Sequence, residues 1–200
     1  MSSIPIYTIG YGNRSINEFI ELLKRYGIQY LVDVRSQPYS RYNPDFSKDA
    51  LERHLNRHHI RYIFMGDTLG GRPEDKDSRT DDDIVSYRIL RERDFYRRGI
   101  KRLHAAWEKE LRIALMCSEL RPQECHRGKL IGDTLIQENI VVAHIDESGN
   151  TKTQEEVNQF FVKPEQQNGQ LTLFAEESEE IHDEKKHYSR KKYPPKKESA

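Results

Sequence analysis

Apolar residues in the first 150 positions come in short clusters, separated by stretches with a helical period. Ile4-Pro5-Ile6-Tyr7-Thr8-Ile9 predicts a strand ended by Gly10 and Gly12. Ser15 stands at an N-cap with Glu18 at the capping-box position. Ile16, Phe19, Ile20 and Leu23 then follow a helical stripe that Gly27 closes. Tyr30 to Val34 predicts a second strand, Ser47 to about His58 a helix, and Arg61-Tyr62-Ile63-Phe64 a third strand. A longer helical insertion is expected from about Asp81 to Glu110. Arg112 to Cys117 predicts a fourth strand, His126 to about Glu138 a helix, and Ile140 to Ile145 a fifth strand. Strands separated by helices pair in parallel through right-handed crossovers, so the expected fold is a Rossmann-like three-layer α/β/α sandwich with about five mainly parallel strands.

The density of core-forming residues changes along the chain. Leu, Ile, Val and Phe number 38 in residues 1–150 and 8 in residues 151–200, and the second stretch falls below the roughly 20% at which packing fails. Residues 151–200 are therefore expected to be a mostly disordered tail. Its basic end, 185–197, carries seven Lys or Arg and two prolines. Overall, 33 basic and 33 acidic residues cancel, which excludes a wholly basic nucleic-acid coat. A mean hydropathy of −0.91 leaves no bilayer-spanning run, so no membrane is expected. Two cysteines and no readable secretory signal point to a reducing cytoplasm.

In an open parallel sheet the ligand site lies beyond the carboxyl ends of the strands, and here the residues that follow each strand are polar. Asn13, Arg35 and Arg41 are candidate substrate contacts, and Arg127 at a helix start suits a phosphate or carboxylate. Asp33 sits between valines, where it serves either as the partner of an ion pair or as a general base. Cys125 adjoins His126 and Arg127 at a positive helix end and is the candidate nucleophile; Cys117 ends an apolar strand and is placed with the substrate contacts. Glu119 and His126 are candidate acid and base. Gly10 and Gly12 do not complete a dinucleotide fingerprint, because Ser15 occupies the third glycine position, and no cofactor is identified. Cys117, Cys125, His126 and His144 lack zinc-ligand spacing, so no metal is assigned.

Taken together, Thr8 to Asn13, Leu31 to Arg35, Pro38 to Arg41, Leu69-Gly70-Gly71, Leu115 to Glu119, Cys125-His126-Arg127 and His144-Ile145 resemble the domain-of-unknown-function 488 family across about residues 5–146. The resemblance implies a Rossmann-like fold and a shared polar pocket, with no established reaction. Tyr11 stands where the family pattern implies a histidine.

In the tail, Gln170-Leu171-Thr172-Leu173-Phe174 resembles the pentapeptide that binds the bacterial sliding clamp. Four fixed positions arise by chance on the order of once in several hundred chains of this length. Gln170, Leu171, Leu173 and Phe174 would make the contacts, ordering only on binding; folding back as a docking strand is the alternative. The reading that follows is an accessory protein of DNA metabolism, recruited to the clamp, whose arginine-rich pocket takes a nucleotide or nucleic-acid phosphate for hydrolysis or transfer. The alternatives are a non-catalytic nucleotide- or DNA-binding module and a cysteine-dependent thiol or sulfur-transfer enzyme.

Overall fold

The computed structural model describes residues 4–80 and 84–161. The expected clamp peptide 170–174 and basic end 185–197 lie outside the described residues. A six-stranded sheet forms the frame, from β1 (Ile6–Gly10), β2 (Tyr30–Asp33), β3 (Arg61–Phe64), β4 (Ile113–Cys117), β5 (Val142–Ile145) and β6 (Thr151–Thr153). Its order is β3-β2-β4-β1-β5-β6. The first five strands pair in parallel and β6 runs antiparallel to β5.

Side-chain alternation along the strands builds two separate cores. Leu31, Ala114, Met116, Ile9 and Ile145 pack with Phe19, Leu23, Leu51 and Leu55 of α1 (Ile16–Arg25) and α2 (Lys48–Asn56). Val32, Val34, Leu115 and Cys117 pack on the other side. There they meet α3 (Gly66–Leu69), α5 (Asp94–Glu108), α6 (Asp133–Gln137) and the turns between them. The capping box at Ser15 and Glu18 forms as the sequence predicts: the Ser15 hydroxyl accepts from the Glu18 amide, and the Glu18 carboxylate accepts from the Ser15 amide.

Three expectations change. The helical insertion does not run unbroken from Asp81: α4 (Tyr87–Glu92) begins behind the Ser86 cap, and Arg93 at ψ 136° breaks the chain before α5. The helix after His126 starts as a π-helical stretch over Arg127–Gly132 and becomes α6 only at Asp133. Finally, the fold continues past 150. Thr151–Thr153 adds a sixth strand, and α7 (Gln154–Asn158) buries Gln154 and Val157. A count averaged over fifty residues conceals one short segment that docks through two side chains.

Gln154 explains why His144 is not at the rim. The Gln154 amide nitrogen donates to the Gly128 carbonyl and to Asn158, so its oxygen accepts from His144 Nε2 at 2.7 Å. His144 Nδ1 then accepts from the Thr8 hydroxyl, also at 2.7 Å. Burial, aided by the Arg127 charge, pushes this imidazole down to about 4. The unfolded chain therefore binds the extra proton between pH 6.5 and 4, and stability falls as pH drops through that window, by about 3 kcal/mol in total. Urea unfolding across this pH range checks it, with His144→Gln expected to flatten the dependence.

Candidate functional site

The chain leaves β2 towards α2 on one face of the sheet and leaves β4 towards α6 on the other. This opens a crevice at the carboxyl ends of the two neighbouring strands. A polar cavity of about 450 Å³ lies there. Arg35, Tyr39, Arg72, Tyr87, Cys117, Glu119, Cys125 and His126 carry its chemistry.

Asp33 organises one wall from below. It is fully buried, and its carboxylate takes a bidentate pair from Arg35 at 2.9 and 2.6 Å. The Arg35 amide and the Tyr62 hydroxyl occupy its remaining lone pairs. With four donors on two oxygens, Asp33 serves as the ion-pair partner and does not line the cavity. Burial works against the Arg35 charge, but the Asp33 hydrogen bonds and charge outweigh it and hold the guanidinium above its ordinary range. Arg35 also donates to the Phe46 carbonyl, while its Nη1 is buried with no hydrogen-bond partner. The ring of Tyr11, stacked on Phe46, lies 5.3 Å from that guanidinium.

The floor is built around Arg127, whose side chain is 0% exposed. Its Nη1 donates to the Glu119 carbonyl at 2.6 Å and reaches Cys117 Sγ at 3.1 Å, and its Nη2 donates to the Leu120 carbonyl. Gly10 makes room for this: a Cβ there would strike the Glu119 carbonyl and the guanidinium. Two residues on, Gly12 adopts φ +49°, a left-handed conformation that favours glycine.

Cys117 and Cys125 are free thiols with their sulfurs 2.8 Å apart. Burial drives the Cys117 thiol well above the ordinary thiol range, and hydrogen bonding to Cys125 adds to it. Cys125 goes the other way. Burial opposes its ionisation, yet the hydrogen bond from Cys117 and the Arg127 charge together bring it below the ordinary value. In this hydrogen bond Cys117 is the donor and Cys125 the acceptor, and Cys125 is the easier of the two to ionise. Burial also lowers His126, which stays neutral at neutral pH. Its Nε2 lies 3.0 Å from the Val34 carbonyl, which can only accept, so the proton is on Nε2 and Nδ1 keeps its lone pair.

Of the residues singled out from the sequence, Arg35, Cys117, Glu119, Cys125 and His126 share the cavity. Arg127 lies beneath it, committed to carbonyls and sulfur rather than open to a ligand. Asn13 and Arg41 are exposed and do not line it. The strand ends of β1 and β5 supply no lining residue, so three of the five expected segments converge rather than all five. Sequence reasoning missed Tyr62, which completes the Asp33 shell, and Tyr87 on the far wall, where burial and the nearby sulfurs push its phenol up to about 12. Metal-ligand capacity also differs from the four-residue zinc set considered above. His144 is taken by Thr8 and Gln154, whereas Cys117, Glu119 and Cys125 bring their ligand atoms within 4.8 Å of one another.

These features define an α/β protein with a mostly parallel sheet and a thiol-floored pocket at its carboxyl edge. The family described as domain of unknown function DUF488 matches residues 15–133, and the chain belongs to it. No curated protein and no solved structure matches the chain. Among the described residues no helix is long and apolar enough to cross a membrane.

Proposed function

We propose that this protein is a cysteine-dependent enzyme, a thiol or sulfur-transfer catalyst, whose pocket takes an anionic substrate such as a phosphate-bearing nucleotide. One observation carries the reading: a fully buried guanidinium, Arg127, contacts Cys117 while no carboxylate hydrogen-bonds to it among the described residues. A buried cation needs a countercharge, and the adjacent sulfurs supply it before the Glu119 carboxylate does. Negative charge is therefore favoured on this pair, with Cys125 the thiol brought below its ordinary value. In this reading Cys125 is the nucleophile, His126 Nδ1 and Glu119 move protons, and Arg35 with Arg72 meets the anionic group. The α/β frame, with helices on both faces, is read as a Rossmann-like three-layer sandwich.

Iodoacetamide alkylation of the folded protein tests it. Cys125 is expected to be labelled at a lower pH than an ordinary thiol, with Cys117 spared and Cys125→Ser unreactive. Equal labelling of both thiols, or reaction of Cys125 only in the ordinary thiol range, overturns the proposal.

Recruitment to a replication clamp, and with it a place in DNA metabolism in the cytoplasm, rests on the peptide 170–174 alone. Truncation before Gln170, or Leu173→Ala with Phe174→Ala, is expected to abolish pull-down of a bacterial sliding clamp without changing Tm; retained capture removes this part of the proposal.

A further inference from the structure

Two thiols in contact can do more than one thiol. Cys117 sits at the end of β4, Cys125 lies two residues before the start of the π-helical stretch at Arg127, and only seven residues separate the two cysteines. Their sulfurs already lie 2.8 Å apart with no side chain between them, so bringing them to bonding distance needs a shift of under about 1 Å. Access is asymmetric. Cys117 is 0% and Cys125 5% exposed, and both border the cavity. A substrate sulfur entering from the cavity meets Cys125 first.

We propose that Cys117 and Cys125 form a two-electron dithiol–disulfide couple whose substrate is a disulfide, with Cys125 attacking and Cys117 completing the exchange. This rests on the thiol reading of the pocket given above. In the first step Cys125 sulfur bonds to one sulfur of the substrate RSSR, the substrate S–S bond breaks, and RS⁻ leaves. In the second, Cys117 sulfur attacks Cys125 sulfur, the mixed disulfide breaks, and the Cys117 proton leaves with the second thiolate as RSH. The substrate gains two electrons and the protein sulfurs lose two. Thiol–disulfide exchange supplies both steps with no other reactant.

Arg127 sets the direction of this chemistry. Closing the disulfide leaves the buried guanidinium beside a sulfur that can no longer ionise, with the Glu119 and Leu120 carbonyls as its hydrogen-bond partners. The oxidised form is therefore the strained one, and the disulfide is readily reduced again, which marks a working bond rather than a structural one.

Glutathione disulfide is the probe, added with a chelator to the reduced, full-length chain. The wild-type protein is expected to release two glutathiones per chain and to end with an internal disulfide between Cys117 and Cys125. Cys117→Ser is expected to stop at one glutathione, retained on Cys125, and Cys125→Ser to release none at a comparable rate. Reduced glutathione should then reopen the wild-type disulfide, with a lower Tm before reduction than after. A wild-type chain that stops at a stable mixed disulfide, or a Cys125→Ser chain that reacts at the wild-type rate through Cys117, overturns the couple. Iodoacetamide labelling of Cys125 separates the two proposals. If labelling succeeds and the second glutathione never appears, the nucleophile stands and the couple falls; if labelling fails as well, both fall.

Discussion

Asp33→Ala is expected to cost about 3–5 kcal/mol of folding stability, the cost of breaking a buried ion pair from one side. The substitution removes four hydrogen-bond acceptances at once and leaves Arg35, 5% exposed, without its carboxylate partner, still donating to the Phe46 carbonyl. Tyr62 loses its partner as well. Guanidinium chloride unfolding measures the loss. A paired replacement, Asp33→Leu with Arg35→Met, separates charge from packing: removing both ions together is expected to recover much of the stability while leaving the pocket without its Arg35 wall. If Asp33→Ala alone lowers stability by less than about 1 kcal/mol, the pair is not the support described here.

The second large effect is expected from Arg127→Met. The side chain keeps much of its volume but loses its charge and its fork. The Glu119 and Leu120 carbonyls then lack their donor, a loss of about 1–3 kcal/mol for each one left unsatisfied. The sulfurs feel the change more specifically. Without the cation, burial dominates at Cys125, its thiol rises, and alkylation at pH 7 is expected to slow by about tenfold or more. The full pH profile of alkylation reports this apart from any loss of stability. Arg127→Lys, which keeps the charge and lacks the planar fork, is expected to restore part of the reactivity and little of the carbonyl anchoring. An unchanged profile in Arg127→Met breaks the link between cation and thiol.

Much of this arrangement was legible in the sequence, and the gaps have physical causes. The five parallel strands stand out because each is an apolar run closed by glycine or polar residues. The α1 start stands out because Ser15 and Glu18 satisfy its first amides locally. β6 does not, since Thr151-Lys152-Thr153 buries little and owes its place to pairing with β5. The π-helical stretch does not either, because an inserted residue in a helix leaves no periodicity over six positions. In the site, Arg35, Cys117, Glu119, Cys125 and His126 could be found from their position after strands. Asn13 and Arg41 occupy similar positions, yet their loops turn them outwards. Tyr62 and Tyr87 had no distinguishing signal: a tyrosine whose hydroxyl reaches a buried carboxylate has the same sequence pattern as one that only packs. Arg127 was found for the wrong task. A basic residue at a helix start suggests a ligand contact, and nothing in the sequence reveals that carbonyls from residues 119 and 120 curl down to meet it.

The bare backbone at Gly10 has a consequence for any chain built on this plan. A guanidinium and a carbonyl fill the space where a methyl group would stand, so a relative with alanine or serine at this position must hold its cation elsewhere and present its thiols in a different electrostatic setting. Residue 10 thus works as a diagnostic letter. Reading it in a new sequence separates chains that can carry this buried charge from chains that share only the frame.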